Sequence, residues 1–244
     1  VYKRQTEGYP VAVPFVGNYT EEKIKKVMQI LKEDFAGFDA QLIIMDVVPW
    51  MLPYYEASGI QFEIEDNRDY MDYTFTPEQF LAGMDTQDDR YRYNYFKRRF
   101  AYETEEITPF HREEIREFME REWCGEKTCE ECHCGCLLRV IDNLVPVFDK
   151  IRINGILVRV EGKMAGLCIV SCRNGLGVYQ YKNAVNRIKG INEYLLRESF
   201  ERYLQSADTI NYTEDMGVEN LRYYKEHMAP AHTLLSKLTL TERG

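Results

Sequence analysis

Apolar residues in the first part of the chain come in short blocks whose period changes from block to block. Val11-Ala12-Val13-Pro14-Phe15-Val16 is a continuous apolar run between Pro10 and Gly17, which is the pattern of a short buried strand. Ile24, Val27, Met28 and Leu31 then recur at helical spacing. Thr20 stands where a capping hydroxyl belongs, with Glu21 and Glu22 in the first turn. Leu42 to Val48 is a second buried-strand pattern, and Pro49 to Ala57 reads as a short helix stopped by Ser58-Gly59. Phe62 to Glu65 and Tyr70 to Phe75 alternate as strands do, and Pro77 to Met84 opens another helix.

From about residue 100 the pattern restarts. Tyr102 to Ile107 predicts a strand, Pro109 to Trp123 a charged amphipathic helix, and Leu137 to Val147 a further helix. Gly155 to Val160 and Met164 to Ser171 form a hairpin pattern around Glu161-Gly162-Lys163, and Gly177 to Lys182 supplies a third strand. Ile188, Ile191, Leu195, Phe200 and Tyr203 mark a long helix. A short strand at Thr209 to Tyr212, a helix at Met216 to Met228 and a closing strand at Thr233 to Leu240 follow. Mixed strands and helices in this order give an α/β (α+β) layer fold. Residues 11–75 and 177–240 share the order strand, helix, strand, helix, strand, so two similar domains are expected, at 1–98 and 99–244. The chain does not start with Met, and Val1 to Gln5 has the look of a translated adapter scar from an environmental read. The expectation is therefore a metagenomic fragment whose first domain is N-terminally truncated.

Composition narrows the partners. Hydrophobic residues make up 45% and charged residues 29% of 244, ordinary globular usage. Thirty-one basic against forty acidic side chains leave a charge of −9, which argues against coating a polyanion through the overall field. No apolar run approaches the ~18–20 residues that span a bilayer; the best, Leu42 to Leu52, is broken by Asp46 and Pro49. No secretory leader pattern is present, and a cytoplasmic location is expected.

Two segments stand apart from this average. Arg90 to Phe100 holds five basic and five aromatic residues in eleven. Either it is an inter-domain helix with a packed aromatic side and a solvated basic side, or its cations and rings dock tRNA or a phospholipid head group. Five of the seven cysteines lie between Cys124 and Cys136. Cys129 and Cys132 have the spacing that lets two thiolates share one tetrahedral Zn²⁺, with Cys134, Cys136 or His133 completing the four. A redox loop and a cluster with no special role stay open beside that reading. Cys168 and Cys172 read as buried apolar positions on the hairpin.

The most informative run is Ile210-Asn211-Tyr212-Thr213-Glu214-Asp215-Met216-Gly217, then Leu221-Arg222, Lys225 and Pro230. Asp215 stands where a helix N-cap belongs, and the same carboxylate could instead accept a proton from an attacking group. Arg222 and Lys225 lie three residues apart on one helix face, where they either pair with local carboxylates or hold an anionic group of a substrate. In order and spacing this run resembles the closing signature of the phosphatidylglycerol lysyltransferase C-terminal family. Glu65-Asp66-x-Arg68-Asp69-Tyr70-x-Asp72-Tyr73 is similar to a second segment of that family. Two places depart from the family pattern: Asp85 to Asp89 stands where relatives carry Gly-Lys-Lys, and Asn220 where a Gly is expected.

The resemblance implies tandem GNAT-type acyltransferase folds and a bacterial enzyme. It would move an acyl or aminoacyl group from acyl-CoA or aminoacyl-tRNA to an amine or hydroxyl, a small molecule or a lipid head group. Glu214 or Asp215 would act as base and Tyr223 or Tyr224 as acid, with Asn211, Arg222 and Lys225 at the substrate. Arg187, Lys189, Gly190 and Asn192 partly match the Arg/Gln-x-x-Gly-x-Gly/Ala segment with which GNAT enzymes cradle the coenzyme A pyrophosphate at a helix start. The alternative is a GNAT-fold binding or regulatory protein without chemistry, its cysteine loop stabilised by zinc.

Overall fold

The computed structural model describes residues 3–6, 9–14, 17–37, 41–124, 137–228 and 232–243. The elements begin β1 (Lys3–Thr6), β2 (Tyr9–Ala12), α1 (Glu21–Phe35), β3 (Ile43–Val47), α2 (Leu52–Glu56), β4 (Phe62–Asp66) and β5 (Asp72–Phe75). They continue with α3 (Pro77–Gly83), α4 (Gln87–Arg99), β6 (Tyr102–Glu106), α5 (Arg112–Met119), α6 (Leu137–Leu144), β7 (Asn154–Val160), β8 (Lys163–Arg173) and β9 (Leu176–Ala184). The last are α7 (Ile191–Ser199), β10 (Thr209–Asn211), α8 (Glu219–Met228), β11 (Thr233–Leu235) and β12 (Leu238–Glu242). Among the described residues no helix is long and apolar enough to cross a membrane.

The chain forms two compact units. One contains Val1–Tyr73, Glu214–Arg222 and Leu234–Gly244; the other contains Thr74–Thr213 and Tyr223–Thr233. These units are interleaved along the chain, whereas the division at residue 98 read from the sequence is linear.

In the first unit a sheet runs in the order β1-β2-β3-β12-β4. β2 and β3 are parallel, and β12 pairs antiparallel with both β3 and β4. The last strand of the chain thus lies inside the sheet. Leu240 is buried there beside Ile44, Val47, Ile24, Met28, Leu31 and Tyr55. Thr20 caps α1 as the pattern predicts, its hydroxyl accepting from the Lys23 amide at 3.3 Å. The single closing strand expected at 233–240 is in fact two strands in two sheets. Between them Lys237 turns its ammonium to Asp72 at 2.7 Å.

The second sheet runs β11-β5-β10-β9-β8-β7-β6. β6 to β9 are antiparallel neighbours, while β9 and β10 are parallel, which requires the crossover through α7. The expected hairpin turn is present, with Glu161 and Gly162 both at positive φ (52° and 76°). Aromatic rings fill the core. Phe80 is fully buried and lies 5.2, 5.7 and 5.6 Å from the rings of Tyr179, Phe200 and Tyr212.

Helix α4 packs on α7 within this unit. Phe96 is fully buried and sits 4.9 Å from the Tyr194 ring. Gly190, just before α7, has φ of +89°, and a Cβ there would run into the carbonyl oxygen of Arg92 on α4. Only glycine accommodates both the left-handed backbone and that approach. Gly190→Ala therefore destabilises the protein by about 2 kcal/mol or more, the left-handed backbone alone costing ~1–2. Chemical denaturation checks this, and a midpoint equal to wild type contradicts it.

Candidate active site

In the second unit, four helices close around a cavity of about 250 Å³. The end of α3 contributes Gly83 and Met84, and the start of α4 contributes Thr86, Asp89 and Tyr93. α7 adds Glu193, Leu196 and Arg197, and α8 adds Tyr223, Tyr224, His227 and Met228. The residues follow helical spacing: Asp89 and Tyr93 are one turn apart, as are Glu193 and Arg197, so each helix presents one face. Thr86 caps α4 by accepting from the Asp89 amide at 3.2 Å, and its hydroxyl also bonds the Asp89 carboxylate. Arg197 lies over the Tyr93 ring at 5.1 Å, and Asp85 engages its guanidinium at 2.9 Å. Arg92 reaches Glu193 from the side at 3.5 Å.

Tyr224 shows how acidic the space is. Although 37% of its surface is exposed, its hydroxyl shares a hydrogen bond with the buried Tyr212. Burial pushes its pKa far up, and the carboxylates of Asp89 and Glu193 push it further. It is therefore a protonated phenol at neutral pH. Tyr223 is exposed and stacks on His227 with ring centres 3.9 Å apart. Three tyrosine rings, two carboxylates and the Arg197 guanidinium line the space. The volume lies below the ~300–1,000 Å³ usual for drug-sized ligands, so only a small group fits.

The first unit holds a different carboxylate. Asp215 has no exposed surface. Its carboxylate accepts from Tyr73 Oη at 2.8 Å, Arg68 Nη1 at 3.1 Å, the Gly217 amide at 2.9 Å, and Arg222 Nε and Nη2, both at 3.0 Å. Arg222 also reaches Asp69 at 2.6 Å. Burial alone would raise the Asp215 pKa, but the bonds from Arg222, Tyr73 and Gly217 reverse this and hold it well below the carboxylate range. A carboxylate held so low is a poor proton acceptor. Nor does it cap a helix, because α8 begins only at Glu219. Residues 216 and 217 have φ of +53° and +71°, which no helix allows, so the helix expected from Met216 starts three residues late. Asp215 instead closes a turn onto Gly217.

The other sequence-selected residues disperse. Glu214 is half-buried, 3.9 Å from Lys237. Asn211 accepts from the Thr213 amide at 2.7 Å. Lys225 does not share Arg222's partners: it is buried, donating to the Tyr212 carbonyl at 2.6 Å and lying 4.8 Å over that ring. The four residues expected to cradle a pyrophosphate do not converge. Arg187 is largely exposed and faces Glu122 at 3.5 Å, and Lys189 lies over Tyr91 at 4.7 Å. Asn192 accepts from Lys182 at 2.9 Å, and Gly190 faces a carbonyl. A carbonyl oxygen and the Glu193 carboxylate at the start of α7 are the wrong charges for a pyrophosphate, so this helix start does not fit that group. Cys129, Cys132, Cys134 and Cys136 lie outside the described residues. Among those described, no group of His, Cys, Asp and Glu could hold a metal, Cys168 is buried and Cys172 is half-buried.

Comparison with known proteins sets this geometry in a family. The family profile described as phosphatidylglycerol lysyltransferase, C-terminal, matches residues 1–236. The chain belongs to that family. Among solved structures, it is similar to a conserved protein of unknown function from Bacteroides thetaiotaomicron, with TM-score 0.78 and 24% identity over 99% of this chain and 82% of that one. It is also similar to L-PGS from Bacillus licheniformis, with TM-score 0.67 and 14% identity over 99% and 81%. A tandem GNAT protein from the clavulanic acid biosynthesis pathway superposes with TM-score 0.52 and 12% identity over 90% and 68%. The fold of this member of the phosphatidylglycerol lysyltransferase C-terminal family is thus a mixed α/β, tandem GNAT-like one. No curated protein matches the chain.

Sequence reasoning did not single out Asp89, Tyr93 or Glu193. Thr86-x-x-Asp89 reads as a capping pair and Glu193 as a first-turn acid, and only the packing of α4, α7 and α8 brings them together. Arg68 and Tyr73 stand in a family-like segment but carry no spacing signal linking them to Asp215, over 140 positions away. Asp215→Asn removes a charged acceptor shared by two guanidinium groups and should cost about 2 kcal/mol of stability. The folded pKa is depressed, so this contribution is complete above the unfolded value of about 4 and fades as pH falls through the folded value. Denaturation of both proteins should show a constant gap between about pH 5 and 8 that narrows below about pH 3. A gap that widens in acid contradicts the assignment.

Proposed function

We propose that this chain transfers the aminoacyl group of an aminoacyl-tRNA to an amine or hydroxyl acceptor, the cavity between α3, α4, α7 and α8 receiving the aminoacyl part. The observation that carries this reading is the pairing of Asp89 and Glu193 with Tyr93, Tyr223 and Tyr224 around a small space. An aminoacyl ester carries an ammonium group, which carboxylates and ring faces hold together. An acetyl group carries none, and the start of α7 offers carbonyl and carboxylate oxygen where coenzyme A would place its pyrophosphate. Family membership supports a lipid head group as the acceptor. Cytoplasmic placement goes with a tRNA donor.

In the transfer, the acceptor N–H or O–H attacks the ester carbonyl, a bond from carbon to the acceptor atom forms, and the carbon–oxygen bond to the ribose breaks. The departing ribose oxygen needs a proton. We assign the Tyr224 hydroxyl, on a residue lining the cavity and protonated at neutral pH, to give this proton, and the acceptor's own proton restores the phenol, so no net proton is gained or lost. Asp89 and Glu193 act by holding the ammonium, which fixes the carbonyl relative to that hydroxyl.

The test offers labelled aminoacyl-tRNA and acetyl-CoA as donors, with phosphatidylglycerol vesicles and free amines as acceptors. Transfer from aminoacyl-tRNA is expected. Glu193→Gln should lower kcat/KM about tenfold, the equivalent of about 1.4 kcal/mol. Tyr224→Phe should lower kcat roughly a hundredfold with little change in KM. Turnover with acetyl-CoA and none with aminoacyl-tRNA overturns the proposal.

A further inference from the structure

The sheet of the first unit ends at β4, whose one strand partner among the described residues is β12. The Asn67 amide donates to the Lys237 carbonyl and the Arg243 amide to the Gln61 carbonyl, both at 2.9 Å. Backbone groups of an antiparallel strand alternate in direction, so residues 61, 63, 65 and 67 turn theirs to β12. The N–H and C=O of Phe62, Ile64 and Asp66 therefore point out from the sheet edge, and no backbone bond to them from beyond β12 is present among the described residues. The side chains alternate as well. Glu63 and Glu65 share one face of the strand, and Phe62 and Ile64 share the other with Leu240, directly opposite Ile64. Ile64 is 48% exposed. With Phe62, Leu240, Ile60, Leu52 and Tyr55 it walls a hollow of about 200 Å³. Glu63, Glu65 and Asp66 are exposed and have no ion-pair partner among the described residues. Arg243 stands opposite Gln61, so the acidic stretch of the edge runs from Glu63 onward.

We infer that β4 takes up one further strand, an extended segment of a partner protein with basic side chains on one face and apolar side chains on the other. The outward groups of Phe62, Ile64 and Asp66 supply the ladder that such a strand needs. At a strand spacing of about 4.8 Å, lysine or arginine side chains opposite Glu63 and Glu65 come within ion-pair reach. An apolar residue opposite Ile64 covers the exposed part of that side chain at the border of the hollow. Charge decides between this partner and a second copy of the chain. Two β4 strands paired antiparallel about Ile64 would set Glu63 against Glu65 twice, and like charges directly opposite are destabilising. The same carboxylates that keep the edge from pairing with itself complement a basic strand. The inference is independent of the aminoacyl-transfer reading, since β4 belongs to the first unit and the cavity to the second.

The test titrates the full chain with a short fluorescent peptide of alternating lysine and valine, read by anisotropy and by amide hydrogen exchange. Binding should slow exchange at Phe62, Ile64 and Asp66 about tenfold or more, and leave Glu63 and Glu65, whose amides already face β12, unchanged. Glu63→Lys/Glu65→Lys should weaken binding about tenfold or more. Both side chains are exposed, and a matching thermal melt confirms that the variant folds. A peptide methylated at the amide of its central valine keeps every charge and side chain but loses a ladder donor, and it should also bind about tenfold more weakly. Equal binding of the methylated peptide overturns the inference, because charge attraction alone then accounts for the affinity. Absence of binding by the unmodified peptide overturns it, as does binding that leaves exchange at Phe62, Ile64 and Asp66 unchanged. So does slowed exchange at those three amides without peptide as protein concentration rises, which would make the edge a contact between copies of the chain.

Discussion

The candidate site of the second unit depends on one close approach, that of the α4 backbone to Gly190 at the start of α7. A side chain at position 190 would occupy the place of the Arg92 carbonyl oxygen, and the two helices would have to part. Their contact brings Asp89 and Tyr93 opposite Glu193 and Arg197 to make the cavity. On another side of α4 it brings Lys189 over Tyr91 and Tyr95. Phe96, between these faces, is buried against Tyr194 and holds the pair together from within. A glycine that looks like part of a phosphate-binding turn thus serves helix packing, and that packing forms the cavity.

The carboxylates separate into two kinds according to what surrounds them. Asp215 receives donors from two arginines, a tyrosine and a backbone amide, so its charge is spent on holding a strained turn. Asp89 and Glu193 share a small aromatic space and raise the pKa of the phenol beside them. A fully satisfied carboxylate organises structure. Asp89, bonded by Thr86, and Glu193, reached by Arg92, also face the aromatic space, where we propose that they draw a cation. The same residue type, a few elements apart, therefore plays opposite parts, and its position in a motif does not tell which.

Much of the fold was legible because its signals are local. Periodicity located α1 with its Thr20 cap, the β7–β8 hairpin with its Gly162 turn, and the α7 crossover, since each depends on neighbours within a few residues. Residues 233–240 read as one strand because nothing local records that Lys237 turns aside to Asp72 and that the strands on either side join different sheets. The start of α8 was misplaced because the positive φ at Met216 follows from the Asp215 network, built from residues far away in sequence. The lining of the candidate cavity is only partly marked in the sequence. Tyr223 and Tyr224 were picked from their motif, while Asp89 and Glu193 were hidden inside ordinary helix-start patterns. Arg187, Lys189 and Asn192 share a sequence stretch but point to three different partners.

The central claim is that the acidic aromatic cavity receives an ammonium-bearing acyl group. The most direct measurement is a crystal structure with a non-hydrolysable, amide-linked aminoacyl-adenosine. The account predicts density in the cavity with the ammonium nitrogen within about 3.5 Å of the Asp89 or Glu193 carboxylate, a charge-assisted hydrogen-bond or ion-pair distance. An analogue bound elsewhere on the chain, with the cavity unchanged, would contradict it.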